Sequence, residues 1–149
     1  MVGPRFRSIC RSFARNRSAA ERETERVTEA ALRALQRAPG AIVHTAPGGP
    51  SPDSVPAADE LGAALGQVIV GCRSRVDRAI IAGGDTAGYA TRALGAESIE
   101  AIGPIGGALL CRVVSGEEAV LALELVLKGG QVGDEGLFEA IRTGGRRDA

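Results

Sequence analysis

The sequence predicts an α/β layered domain with a mixed, partly parallel sheet flanked by helices, and three observations predict it. Segments with helical apolar periodicity alternate with short apolar runs over the first two-thirds of the chain, the pattern of helices laid on a sheet. Two apolar runs, residues 79–82 and 119–128, stop at glycine pairs, Gly83 with Gly84 and Gly129 with Gly130, as buried strands do when they enter a tight turn. The runs between residues 98 and 128 follow each other too closely for a helix in every gap, which makes the sheet mixed.

Each element has a local reason. Ser18 and Glu21 have capping-box spacing, and Val27, Ala30, Ala31, Ala34, Leu35 and Ala38 share one face of a helix that Pro39 and Gly40 end. Residues 41–46 read as a short buried strand containing His44, the single histidine. A lone strand histidine is more often packed than catalytic, and no Ser-His-Asp or Cys-His set assembles around it. Residues 47–56 hold four of the seven prolines and read as a surface loop. Residues 59–72 form a second helix, with Leu61, Leu65, Val68, Ile69 and Cys72 on one face, and with Gly62 and Gly66 one turn apart so that it can lie close to the sheet.

Residues 79–82 are the next strand, and after Gly83 and Gly84 a helix is capped by Asp85 or Thr86 and stopped by Gly95. Residues 98–102 and 109–114 read as strands separated by Gly103-Pro104 and Gly106-Gly107. In residues 119–128 the leucines at 121, 123, 125 and 127 alternate with Val120, Ala122, Glu124 and Val126, a strand pattern. Ser115 and Glu118 have helix-capping spacing there, and the stricter leucine alternation decides for a strand. Asp134 caps a last helix carrying Leu137, Phe138 and Ile141.

Composition bounds the function. At 149 residues the chain is one domain able to bury roughly two-thirds of its unfolded surface. Residues 1–17 read as a basic disordered leader whose composition resembles a transit peptide, residues 18–145 as the domain, and 146–149 as a tail. Five arginines and no acid lie in residues 1–20, leaving 13 basic against 18 acidic residues in the remainder. A mildly acidic domain with 3% aromatic residues argues against nucleic-acid binding. No apolar run reaches about 18 residues, so no membrane helix is predicted. Cys10, Cys72 and Cys111 are odd in number and widely spaced, which suggests neither a disulfide framework nor a zinc site and fits a reducing cytoplasm.

The strand, glycine turn and helix of residues 77–95 are the chemical centre. Such a turn leaves helix-start N–H groups unpaired beside residues without side chains, which suits an anion, phosphate above all; a plain tight connection is the competing reading. Neither G-x-x-x-x-G-K-[ST] nor G-x-G-x-x-G occurs. Of the 18 basic residues, Lys128 alone is lysine, and it directly precedes Gly129-Gly130. Its compact ammonium suits a phosphate contact, or it is a solvated strand end. In sheets of this class ligands collect at the carboxyl ends of strands, so both glycine loops face one crevice if their strands are neighbours.

The segment I-I-A-G-G-D-T-A-G at residues 80–88, the A-L-G at 93–95 and L-V-L-K-G-G-Q-V-G-D-E-G-L-F-E-A at 125–140 resemble the C-terminal, nucleotide-binding domain of the four-carbon acid sugar kinases. The resemblance covers about residues 42–143. It implies ATP-dependent phosphoryl transfer to a sugar acid such as threonate, erythronate or an oxo-tetronate, with ATP on Gly83, Gly84, Asp85 and Thr86 and on the loop beginning at Gly129 and Gly130. It also implies Mg²⁺ between the phosphates, with Asp85 either holding the ion through water or capping its helix. In the family a longer N-terminal domain carries the sugar-acid site, to which nothing in these 149 residues corresponds, and a Ser-rich nucleotide segment has no match. Where members show Gly-x-Pro, this chain reads Gly107-Ala108-Leu109. Turnover is therefore expected only with the missing half supplied. Two alternatives remain at this stage: a non-catalytic remnant acting as a homodimerisation or partner-docking module through the first helix, and an enzyme acting on another phosphorylated metabolite.

Overall fold

A computed structural model describes residues 17–44 and 57–144. The order is α1 (Arg17–Leu35), α2 (Ala58–Cys72), β1 (Arg78–Ala82), α3 (Gly84–Ala93), β2 (Ala96–Ile105), β3 (Ala108–Gly116), β4 (Glu124–Lys128) and α4 (Leu137–Arg142), with single 3-10 turns at Arg73–Arg75 and Glu118–Val120. The four strands form one sheet in the order β1-β4-β3-β2. β1 and β4 are parallel, and the β4–β3 and β3–β2 pairs are antiparallel. The fold class is therefore the expected one: α/β with a mixed sheet.

The alternation of side chains across β4 explains the layers. Leu125 faces one side with Ile81, Val113, Val120 and Leu123, and α3 closes that side with Ala87, Ala90 and Leu94. Val126 faces the other side with Ile105 and Ala108, under Leu137 and Ile141 of α4. A strand buried on both faces must lie inside the sheet. On the outside of α3 lies α2, whose Gly62 and Gly66 leave no room for a side chain: a Cβ at Gly66 would sit 2.6 Å from Ala90 O. α1 packs its apolar face, Val27 and Ala31, on Val68 and Cys72 of α2.

At the start of the parallel pair, Glu124 accepts hydrogen bonds from Arg78 Nε at 2.7 Å and Arg112 Nη2 at 3.2 Å. Arg78 Nη1 also donates to Ile141 O, holding the end of α4 against the sheet. Burial pushes the Glu124 carboxyl up, but the two guanidiniums outweigh it and its pKa is lowered.

Six expectations are corrected. Residues 41–44 take no strand pairing, although Val43 still packs against the α1–α2 cluster; residues 45–56, including the predicted loop, lie outside the described residues. Gly62 and Gly66 admit α3 rather than the sheet. α3 is capped by Gly83, with no side-chain bond from Asp85 or Thr86, because the corner turns two to three residues earlier than the cap preferences suggest. β2 runs on through Gly103-Pro104, since as an edge strand it absorbs the irregularity in register shifts. Residues 119–123 are not strand: Val120 and Leu123 are both buried while Leu121 and Ala122 are exposed, and Ala122 turns the chain at φ 63°. Lastly, α4 starts after Gly136; Asp134 instead accepts from Gly136 N–H at 3.0 Å through Oδ1.

Candidate functional site

Ala82 lies opposite Lys128 in the parallel register, so β1 and β4 release the chain in the same direction at one end of the sheet. There the N–H of Gly83 donates to Lys128 O at 3.0 Å. The two glycine corners are therefore adjacent, as the strand-neighbour condition required.

In the first corner Gly83 adopts φ 115°, a conformation that strains residues with a Cβ. Its carbonyl accepts the first helical bond, from Ala87 N at 2.9 Å. Gly83 thus offers shape, its own N–H being engaged. The amides of Gly84, Asp85 and Thr86 precede that first bond and have no helical partner, and no side chain caps them. Gly84 and Asp85 are exposed and Thr86 is half-buried. A Cβ built on Gly84 meets nothing within 4 Å.

The second corner follows β4. Lys128 is 8% exposed, the buried charged residue among those described. Its ammonium donates to Gly129 O at 2.9 Å and Gly130 O at 3.3 Å, and Val132 N–H donates to Gly129 O at 3.1 Å. Gly130 is open, with nothing within 4 Å of a built Cβ.

A third glycine pair, Gly106-Gly107, which the sequence marks as a break and as the place where the family's Gly-x-Pro is missing, belongs to the same end of the molecule. Leu109 pairs with Leu127 across β3 and β4, which brings the Gly106-Gly107 hairpin beside the second corner. A Cβ on Gly107 would lie 3.8 Å from Val132 Cγ1, and Leu137 fills the space beside both Gly106 and Gly133. No local signal marks this; it follows from antiparallel register.

Other candidates fall away from chemistry. His44 is exposed in the irregular 41–44 stretch. Cys72 and Cys111 are buried, and burial pushes both thiols up, away from nucleophilic thiolate; Cys10 is outside the described residues. Among the described residues no cluster of three or more His, Cys, Asp or Glu could hold a metal ion. Mg²⁺ is commonly held by one or two carboxylates together with substrate phosphates. The exposed carboxylate of Asp85 at the first corner fits that partial role.

Residues 8–138 match the nucleotide-binding C-terminal domain family. The chain is 37% identical over 139 residues to the 3-oxo-isoapionate kinase of Paraburkholderia graminis, covering 82% of this chain and 30% of that kinase. It therefore spans about a third of the length of the curated relative. Among solved structures, a Salmonella typhimurium LT2 protein superposes with a TM-score of 0.68 at 19% identity, over 96% of this chain and 34% of that one. A Bordetella bronchiseptica protein containing a domain of unknown function (DUF1537), solved as a domain-swapped dimer with bound citrate, matches in two crystal forms. One gives a TM-score of 0.62 at 24% identity over 93% of this chain and 34% of that one; the other gives 0.51 at 25% over 69% and 25%. With the fold, the paired corners and the family match in agreement, the chain belongs to the nucleotide-binding C-terminal domain family of the four-carbon acid sugar kinases.

Proposed function

We propose that this chain supplies the ATP site of a kinase that phosphorylates a four-carbon sugar acid, of the threonate, erythronate or 3-oxo-tetronate type. The observation that carries the reading is the adjacency of two glycine corners at the carboxyl ends of neighbouring parallel strands, tied by the Gly83–Lys128 hydrogen bond. Free amides at Gly84, Asp85, Thr86 and Gly130 face anions well, and Lys128 has one ammonium donor beyond the two used on the loop, available to a phosphate. Asp85 would meet Mg²⁺ carried by the nucleotide, and the ion would neutralise phosphate charge.

The groups that read the sugar acid and activate its hydroxyl would lie in the part of the relatives' length that these 149 residues do not span, on the same polypeptide or a companion. A cytoplasmic location is part of the same reading; among the described residues no helix is long and apolar enough to cross a membrane. A homodimer is part of the reading, supported by the swapped dimer of the Bordetella neighbour. It would not use the apolar face of α1, which α2 covers within the chain.

Calorimetric titration with ATP and MgCl₂ tests the site. Saturable binding, with thermal stabilisation that rises with ATP concentration, is expected. Absence of any heat or shift at millimolar ATP refutes it.

A further inference from the structure

Lys128 is buried, and among the described residues no carboxylate lies within ion-pair reach of it. Desolvating an ammonium is unfavourable unless something compensates. Here the compensation comes from the two carbonyls that follow it in the chain, Gly129 O and Gly130 O. That arrangement has a geometric consequence. In a planar trans peptide the C=O and the next residue's N–H point in opposite directions. A Gly129 carbonyl drawn to the ammonium therefore turns the Gly130 N–H away from it, and a Gly130 carbonyl drawn the same way turns the Gln131 N–H away. Both residues are exposed, and neither amide donates to another backbone group among the described residues.

We infer that Lys128 is a positioning residue: from beneath, its ammonium presets the second corner so that the amides of Gly130 and Gln131 face outward before a ligand arrives. This rests on the reading that the corner holds phosphates and goes beyond a direct contact, since two of three ammonium donors are used on the loop itself. The buried charge also raises the potential at those amides. Arginine cannot substitute, because its planar fork does not fit a site shaped for a compact ammonium.

Amide NMR spectra of the full chain, with and without ADP or ATP in MgCl₂, test this on wild type, Lys128→Met and Lys128→Arg. In the nucleotide-free Met variant the Gly129, Gly130 and Gln131 resonances are expected to move or broaden while those of Gly84, Asp85 and Thr86 stay. Affinities for ADP and ATP are expected to fall by the same factor, about tenfold or more for losing charge-assisted bonds, without rescue by arginine. An unchanged nucleotide-free spectrum at the corner overturns the inference. So does a loss confined to ATP, the pattern of a simple terminal-phosphate ligand.

If the variants do not fold, the wild-type ammonium resonance decides. Slow proton exchange in the nucleotide-free protein supports the bonded ammonium, and the fast exchange of a solvated lysine overturns it. Wild type that binds neither nucleotide refutes the proposed function, while the nucleotide-free spectra still judge Lys128.

Discussion

Replacing Gly84 with leucine separates the site from the fold. A side chain at this position meets nothing within 4 Å, and the backbone there is not in the left-handed region. Leucine also favours helix over glycine by roughly 1 kcal/mol in a helix interior, and the gain is smaller in a first turn. Gly84→Leu is therefore expected to leave the melting temperature unchanged or slightly raised. A phosphate placed on the corner meets the new side chain instead of the amides. Losing one charge-assisted hydrogen bond of about 1.5–3 kcal/mol lowers affinity about tenfold to a hundredfold. Calorimetry with MgATP and thermal unfolding on the same sample measure both quantities. A variant of wild-type stability that still binds ATP with wild-type affinity refutes the placement of phosphate on this corner.

Other outcomes follow from the same geometry. Gly66→Ala forces a methyl into Ala90 O and the Ala93 side chain, so it should destabilise by about 1–3 kcal/mol, visible as a lower denaturant midpoint with ATP affinity per folded molecule unchanged. Leu137→Ala removes a 4% exposed side chain that supports Gly106 and Gly133; it should destabilise by about 2–5 kcal/mol and weaken ATP binding as well. The folded-state pKa of Glu124 lies below its unfolded value. Its contribution is thus present above the ordinary carboxylate range and lost as pH falls through the lowered folded value. Glu124→Gln should flatten the acid limb of stability against pH, measured by urea unfolding at successive pH values; an acid limb as steep as wild type contradicts this.

How much of this could be read in advance depends on where the deciding contacts lie. β1 and the turn into α3 were legible because a short apolar run bounded by charge and two glycines is a local statement. α2 is legible from its periodicity, but its two glycines show only that something comes close, and α3 rather than the sheet is what does. The leucine alternation at residues 121–127 misled for a related reason: Leu121 is exposed and Ala122 turns the chain, while Val120 and Leu123 are held by long-range packing. Asp and Thr cap preferences fail at α3 and α4, where a glycine takes the cap position in both. At the site, the two corners could be recognised separately. Their adjacency depends on β1 pairing with β4 across some forty intervening residues, and only the family resemblance carried it. The part played by Gly106-Gly107 depends on antiparallel register and left no trace in local sequence.

The adjacency of the corners as one phosphate cradle is tested most directly by titrating MgATP into the ¹⁵N-labelled chain and following every backbone amide. The account predicts that Gly84, Asp85, Thr86 and Gly130 respond together with a single dissociation constant, while amides of α1 and the outer edge of β2 stay still. Responses confined to one corner, or centred on α1 or β2, contradict it.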